Sequence, residues 1–333
     1  MAGGADAAVG RVGPVSGSVL RYVGKRLLLT LPTLLVVAIL VFGLVRLIPG
    51  DPAQVMLGEA ADAEAIAALR AEMGLDQPVW AQFTTWLGHV LRGDLGTSII
   101  TGEPVGALVL DRFGVTATIV VTAIVLATLL AVALGLVAAA FRGRPLDRTI
   151  TSFATVSMAI PSFWLGLMLI LVFGVQLQLL PVVGYVPLGD SLAEGLSYII
   201  LPVATLAIVE CGVLIRMMRA SAIDVLGLDY VTHARAKGLS ERRVLVRHVF
   251  PNAFAPTMTL VGLTLGHLLG GAVVVETVFT LPGLGRLVVD AVLSRDYPVV
   301  QGCLLFTALI YVLVNLATDL LYPVFDPRVR LEG

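Results

Sequence analysis

Apolar residues form long continuous stretches of this chain, and polar residues collect in the shorter segments between them. A membrane-spanning helix needs about 20 predominantly apolar residues. Six segments reach this length: Leu27–Ile48, Thr116–Phe141, Phe153–Val175, Tyr198–Met218, Met258–Phe279 and Val299–Tyr322. Pro32 and Pro161 interrupt two of them, which neighbouring helices in a membrane can accommodate. The pattern predicts an all-α integral membrane protein with six transmembrane helices.

The composition is typical of a membrane protein. Of the 333 residues, 58% are hydrophobic and 14% are charged, whereas an ordinary soluble protein has about 25% charged residues. The net charge of −1 says nothing about partners, and no nucleic-acid partner is expected. Cys211 and Cys303 lie inside apolar segments without metal or redox spacing, so we expect buried thiols. The first apolar run begins only at Leu27 and no small-residue cleavage site follows it, so no cleavable signal peptide is expected.

The basic residues fall mostly on one side of the predicted spans. Sixteen of the 22 Lys and Arg residues lie in the N-terminal tail, the second loop, the region around the loop after the fourth span, and the C-terminal tail. Short loops rich in Lys and Arg stay in the cytoplasm. This distribution predicts that both termini are cytoplasmic.

The first loop on the opposite side is long and acidic. It carries nine acidic residues against three arginines, and simple tethering would not need so many residues. We therefore expect a small external subdomain that helps to receive a partner. The predicted organisation is: a cytoplasmic tail (1–26), the first transmembrane helix (27–48), the external subdomain (49–115), a five-helix core with a cytoplasmic loop at 219–256 (116–322), and a cytoplasmic tail (323–333).

The polar stretch Asp229–Pro256 separates two of the apolar segments. Asp229–Lys237 is predicted to form a short helix that ends at Gly238, a residue that readily adopts the left-handed conformation. Ser240 suits the N-cap of a second helix, with Glu241 in its first turn. Ala234 and Gly238 lie four residues apart, on a face with little side-chain bulk that another protein could approach closely. By composition alone, the stretch could equally be a basic loop retained in the cytoplasm by its charge.

The order of residues in this stretch resembles a known signature. Ala-Arg-Ala-Lys-Gly-Leu-Ser (234–240), His-Val-Phe-Pro-Asn-Ala (248–253) and Pro256 are similar to the signature loop of ABC importer permeases. The match is to the dipeptide/oligopeptide/nickel branch, of the dipeptide permease B type. The general permease pattern opens this loop with Glu-Ala-Ala, where this chain has His233-Ala234-Arg235. Further motifs of the branch occur in order at 47–52, 74–78, 93–96, 163–166, 180–185, 276–279, 282–285, Asn315, Asp319, Tyr322 and 326–328.

The resemblance implies a type I permease core and a set of partners. It implies a bacterial inner-membrane subunit that works with a second homologous permease, two cytoplasmic ABC ATPases and an external substrate-binding protein. The implied cargo is a di- or oligopeptide, with nickel and glutathione as alternatives. No cofactor is expected in this chain, because ATP and magnesium would bind the partner ATPases. The short helix would be the coupling helix that contacts an ATPase through Asp229, Tyr230, Ala234, Arg235, Ala236, Lys237, Gly238 and Leu239.

Two further groups of residues are candidates for function. The binding protein is expected to contact the outer turns, with the outer gate assigned to Asp94, Glu276, Phe279, Pro282, Gly283 and Gly285. The translocation pathway is assigned to Glu210, Pro161 and Trp164. Glu210 lies near the middle of the fourth span, where a charge is costly, so it should face protein or water. Two interpretations remain open: a protonated glutamate bonded to a neighbouring helix, or a carboxylate that attracts the amino terminus of a passing peptide.

The sequence offers no enzymatic site. A phosphate-binding loop needs Gly-Lys-Ser or Gly-Lys-Thr, and neither Lys25 nor Lys237 has that context, so ATP hydrolysis is expected in another subunit. An intramembrane protease would need paired aspartates, a Ser–His pair or a zinc site. His267 is the only histidine in a span, and we expect it to be packed and hydrogen-bonded. A proton-coupled secondary transporter is a remote alternative, because Glu210 is its only deep acidic candidate.

Overall fold

The computed structural model describes residues 15–47, 50–58 and 61–325. Residues 1–14 and 326–333 of the predicted tails, with Arg11, Arg328 and Arg330, lie outside these ranges. Within them, the extended backbone is limited to one isolated bridge between Thr97 and Pro104. The helices in order are α1 (Val15–Val45), α2 (Pro52–Leu57), α3 (Ala63–Glu72), α4 (Val79–Leu91), α5 (Val105–Ala140), α6 (Pro145–Ala159), α7 (Ser162–Leu169), α8 (Leu192–Leu226), α9 (Asp229–Ala236), α10 (Glu241–Val244), α11 (Phe250–Val278), α12 (Leu284–Leu293) and α13 (Tyr297–Phe325). Short π-helical turns extend α7 over Ile170–Gln176 and link α10 to α11 over Leu245–Val249.

The apolar segments become long helices, as the hydrophobic pattern predicts. Among the described residues, four helical stretches are long and apolar enough to cross a membrane: Val105–Ala140, Leu192–Leu226, Glu241–Val278 and Tyr297–Thr318. The first predicted span corresponds to the shorter apolar stretch Thr30–Val45 within α1. α5 begins at Val105, before the predicted Thr116, so the last residues of the predicted external segment 49–115 belong to the same helix as the second span.

The third predicted span, Phe153–Val175, is wrong as a single helix. α6 and α7 meet at an angle of 104°. The break falls at Ile160, whose backbone is extended at φ −82° and ψ 125°, because a proline disfavours the helical conformation of the residue before it. Pro161 therefore starts a new helix instead of lying inside a continuous one.

The bundle has three stacked apolar clusters, and α5 runs through all of them. Val105 and Val109 belong to a cluster with α12 and the start of α13, which we call the α12 end. The middle cluster joins α5 to α8, α11 and the turn after it. Ala139 belongs to a third cluster with α9 and the C-terminal part of α8, which we call the α9 end. At 1.5 Å per residue, α5 is about 54 Å long, enough to cross a bilayer and emerge from it.

A polar contact ties the chain together at each end of the bundle. At the α12 end, the buried Asp296 accepts hydrogen bonds from the Ser98 hydroxyl at 2.5 Å and the Ile99 backbone at 3.2 Å. At the α9 end, the buried Asp147 accepts two bonds from the Arg219 guanidinium, at 2.6 and 2.8 Å. Both contacts join segments that are far apart in sequence. One holds the segment before α5 against the start of α13, and the other holds the start of α6 against α8.

Small residues allow α6 and α8 to approach closely in the middle of the bundle. A β-carbon added to Gly212 of α8 would lie 2.5 Å from the Ala154 carbonyl oxygen of α6 and 2.9 Å from Met158. Such close backbone approach is typical of helix packing in membranes, where small residues line the contact.

We predict that Gly212→Ala destabilises the subunit, because the methyl group has no room and α6 must move. Overpacking of this kind costs about 1–3 kcal/mol. Gly114→Ala is the matched control: it also lies in a long helix, and among the described residues no atom from another part of the chain is within 4 Å of the place where the added methyl group would sit. Alanine favours helix over glycine by up to about 1 kcal/mol, so the control should be neutral or stabilising. Thermal unfolding of the purified assembly measures both, and equal unfolding temperatures would contradict the close contact.

Candidate functional site

The predicted coupling helix is present as α9, which projects from the α9 end of the bundle. It ends at Ala236, and Gly238 follows at φ +79°, a left-handed conformation that favours glycine. Val231 and Ala234 point into the cluster formed with Met218 and Val249. The surface that remains exposed is polar and includes Asp229, Thr232, His233, Arg235, Ala236 and Lys237.

The expectation that Ala234 shares an open, low-bulk face with Gly238 is wrong. Ala234 is 6% exposed, because it packs against this subunit's own core, three residues after the fully buried Val231. Gly238 lies beyond the end of the helix and is exposed. The face of α9 that a partner can reach is therefore the one that carries Ala236.

Side-chain contacts fix α9 to the segment that follows it. The Arg235 guanidinium forms two bonds with the Glu241 carboxylate, at 2.8 and 3.1 Å, and the Tyr230 hydroxyl donates to the His248 carbonyl oxygen at 3.2 Å. Ser240 is the N-cap residue of α10, as predicted, but its side chain makes no capping bond. Leu239 is half-buried beside the same cluster. α9 and the segment up to α11 thus form one connected unit.

A buried carboxylate joins several helices at the α12 end. Glu276 of α11 is fully buried. It accepts a hydrogen bond from the Thr116 hydroxyl of α5 at 2.5 Å and from the Arg286 backbone of α12 at 3.0 Å. The Thr116 hydroxyl oxygen in turn accepts from the Leu284 backbone at 2.8 Å. One carboxylate therefore joins α5, α11 and the N-terminus of α12.

Most of the predicted outer-gate residues lie inside the subunit. Glu276, Phe279, Gly283 and Gly285 are buried, so the expectation that they form a contact surface is not met in this conformation. Gly283 is packed directly against the Glu276 carboxyl group, which leaves no space for a side chain. Of the two remaining predicted outer-gate residues, Pro282 is partly exposed and Asp94 is exposed.

Asp94 is the exposed member of the predicted outer residues. Its carboxylate accepts a bond from the Gly96 backbone at 2.9 Å and contacts His89 Nδ1 at 3.1 Å. The Gly96 N–H and the His89 ring hold the pKa of Asp94 below its usual value. Asp94 thus presents a fixed negative charge in the segment between α4 and α5.

The pathway candidates lie in the middle of the bundle. Pro161 and Trp164 are exposed, and Glu210 of α8 is half-exposed. Cys211, next to Glu210, and Leu268 of α11, next to His267, belong to the same middle cluster. His267 is itself exposed, so the expectation that it is packed within the subunit is wrong.

Several residues that shape these sites carry no signal in the sequence. Thr116 is one of many threonines in apolar segments, and its partner Glu276 is 160 positions away. Val231 could have been found, because it lies three residues before Ala234 and such pairs share a helix face. No group of His, Cys, Asp and Glu side chains in the described part of the chain is arranged to hold a metal ion.

We predict that Glu276→Gln lowers the stability of the α12 end. Each carboxylate oxygen accepts a hydrogen bond, one from Thr116 and one from Arg286, and an amide would place its own donor against one of these groups, at a cost of about 1–3 kcal/mol. Thr277→Val is the matched control, because the Thr277 hydroxyl is exposed and bonds only within α11, to Val273. Hydrogen exchange of α12 is the measurement, and equal protection in the two variants would contradict this role.

Comparison with known proteins finds matches along nearly the whole chain. Residues 131–331 match the family described as binding-protein-dependent transport system inner membrane component, and residues 19–120 match the N-terminal region of the same component. The glutathione transport system permease protein GsiC of Salmonella choleraesuis (strain SC-B67) is 45% identical over 313 residues, which cover 94% of this chain and 100% of that protein. A putative peptide transport system permease protein of Brucella abortus (strain 2308) is 41% identical over 308 residues, covering 92% and 98%.

These matches extend well beyond the signature loop and include the region that forms α1–α4. They confirm the resemblance of the motifs and the prediction of a multi-pass inner-membrane protein. The chain belongs to the permease subunits of ABC importers, the inner-membrane components of binding-protein-dependent transport systems, in their peptide and nickel branch.

Proposed function

We propose that this permease subunit carries short peptides, di- and oligopeptides, across the inner membrane as half of a translocation pathway. The observation that supports this most directly is its similarity over nearly full length to permeases named for glutathione and for peptide transport. Its partners are a second homologous permease, two ABC ATPases that bind ATP and magnesium, and an external binding protein. The chain itself supplies binding and gating, and the ATPases supply the hydrolysis.

We assign the contact with the ATPase to α9 and its flanking residues. The buried pair Val231 and Ala234 anchors α9 to the ends of α8 and α11, so a push on the exposed side of α9 moves both long helices. The Arg235–Glu241 pair couples the helix to the next segment. This rigid attachment is what a coupling element requires, because a loosely tethered loop would absorb the ATPase's motion.

We place α9 in the cytoplasm and the α12 end outside. The excess of Lys and Arg in the segments at the α9 end supports this orientation, which puts both termini in the cytoplasm. Residues 49–115, with α2, α3, α4 and the first turns of α5, then form the external subdomain, and 116–322 form the core. The exposed Asp94 and the partly exposed Pro282 are the parts of the predicted outer surface that can reach the binding protein.

Glutathione is the second candidate cargo, because the chain is 45% identical to a glutathione permease. It is itself a tripeptide, so the two candidates differ in cargo and not in mechanism. Nickel is a third cargo within the same class of transporter. A proton-coupled secondary carrier is disfavoured, because it would have no use for an exposed coupling helix.

Uptake by cells that lack only this gene tests the proposed cargo. Labelled dipeptide, tetrapeptide, glutathione and nickel are compared with and without the restored gene. We expect gene-dependent uptake of a peptide. Gene-dependent uptake of nickel alone would overturn the proposal.

We predict that Ala236→Trp uncouples transport while the subunit still assembles. The substituted side chain would project from the exposed face of α9 and hold the ATPase away. Uptake and substrate-stimulated ATP hydrolysis should fall at least about tenfold, a change of about 1.4 kcal/mol in the contact.

Ala234→Trp is the matched comparison for this test, because the same residue types are exchanged at a buried site. It should reduce the amount of folded subunit, since the cluster around Ala234 has no space for an indole. Gly238→Trp is less informative, because a side chain at φ +79° is strained wherever it points. Normal coupling in Ala236→Trp would show that the ATPase does not approach this face.

We also predict that the two ends of the bundle crosslink to different partners. A cysteine in place of Asp94 should join to the binding protein, and a cysteine in place of Ala236 should join to an ATPase. The native Cys211 and Cys303 are fully buried, so they give little background reaction. An exchange of the two crosslinking partners would invert the proposed orientation.

A further inference from the structure

Two ionisable side chains in the middle of the bundle face out of the subunit. Glu210 is half-exposed near the centre of α8, and His267 is exposed near the centre of α11. α8 and α11 pack against each other through the middle cluster, to which Cys211, next to Glu210, and Leu268, next to His267, both belong. The structure therefore places a carboxylate and an imidazole on neighbouring helices at a similar depth of the bundle.

Neither side chain forms a hydrogen bond with any of the described residues. Glu276, the other acid on these two helices at membrane depth, shows the contrast, because all its contacts come from within the subunit. The Thr205 hydroxyl of α8 also bonds internally, to the Leu201 carbonyl oxygen at 2.8 Å. Glu210 and His267 therefore contribute no hydrogen bond to the described part of this subunit.

Lipid is an unsuitable neighbour for these two groups. A charged side chain at the centre of a bilayer costs at least about 2.5 kcal/mol, and an unpaired polar group is also unfavourable there. The surrounding exposed residues on α11 are apolar, among them Leu263, Gly270 and Val274. The pair is thus a polar spot on an apolar wall, and this wall faces water or another protein, not lipid.

We propose that Glu210 and His267 form one cargo-binding subsite, in which Glu210 binds the ammonium group of a short zwitterionic peptide and His267 donates a hydrogen bond to its carboxylate. The inference rests on the proposed function and specifies which cargo groups the pathway recognises. A carboxylate accepts only, and an imidazole N–H donates, so the pair complements the two ends of an unblocked peptide. The apolar surroundings strengthen both contacts, because the local dielectric constant is lower than in water.

Binding of blocked peptides to variants of the complex tests the subsite. The permease–ATPase complex is assembled in nanodiscs without the binding protein, so that the binding protein's own selectivity does not enter. Binding of labelled dialanine is measured, with N-acetyl-dialanine and dialanine amide as competitors. In the wild type, we expect each blocked form to bind about tenfold more weakly, which corresponds to 1.4 kcal/mol.

Each variant should lose discrimination at one end of the peptide only. In Glu210→Gln, dialanine should bind as weakly as its N-acetyl form does, and acetylation should no longer matter, whereas amidation still should. In His267→Phe, which keeps a ring but has no N–H donor, amidation should no longer matter, whereas acetylation still should. The two variants are thus controls for each other, and basal ATP hydrolysis confirms that both assemble.

The outcomes separate this inference from the proposed function. Equal effects of both blocking groups in all three proteins, or no binding of dialanine to the wild-type complex, would overturn the subsite. Uptake of dialanine by the wild-type complex with its binding protein is measured in parallel. Failure of that uptake would count against peptide cargo, whereas normal uptake with no end-specific loss would overturn the subsite alone.

Discussion

The buried carboxylate of Glu276 is the interaction on which the α12 end depends. It lies where three helices meet, and the donors around it come from distant parts of the chain: the Thr116 hydroxyl of α5 and the backbone of α12. In an apolar bundle, a carboxylate without such donors would be too costly to bury. The turn between α11 and α12 therefore has one stable arrangement, and it places Thr280 at φ +57°, a conformation that a β-branched residue rarely adopts.

The opposite end is held by apolar packing together with an ion pair. Asp147 and Arg219 join the start of α6 to α8, and the cluster around Val231 and Ala234 attaches α9 to the same helix. α8 is thus attached to α9 near its C-terminus and carries Glu210 near its middle. A displacement of α9 is transmitted along a continuous helix toward the centre of the bundle, where no flexible loop intervenes.

The sequence predicts those features that have local causes. The thickness of a bilayer sets the length of apolar runs, so the helices could be located, and the glycine at 238 marked the end of α9. Pro161 was visible in the sequence too, but the sequence does not say whether a proline kinks a helix or ends it. The structure shows that the helix ends there, with a bend of 104° between α6 and α7. The packing of Ala234 could not be separated from exposure, because alanine suits both a buried contact and an open face.

Contacts between distant segments explain what remained hidden. Glu210 and Glu276 are the same residue type in similar apolar surroundings, and sequence alone favoured a surface role for Glu276 and left Glu210 undecided. The structure separates them by their donors: Glu276 has its bonds within the subunit, whereas Glu210 and His267 have none among the described residues. Because a polar group at membrane depth must be satisfied somewhere, the groups left unsatisfied by the subunit mark the face that meets water, cargo or a second permease.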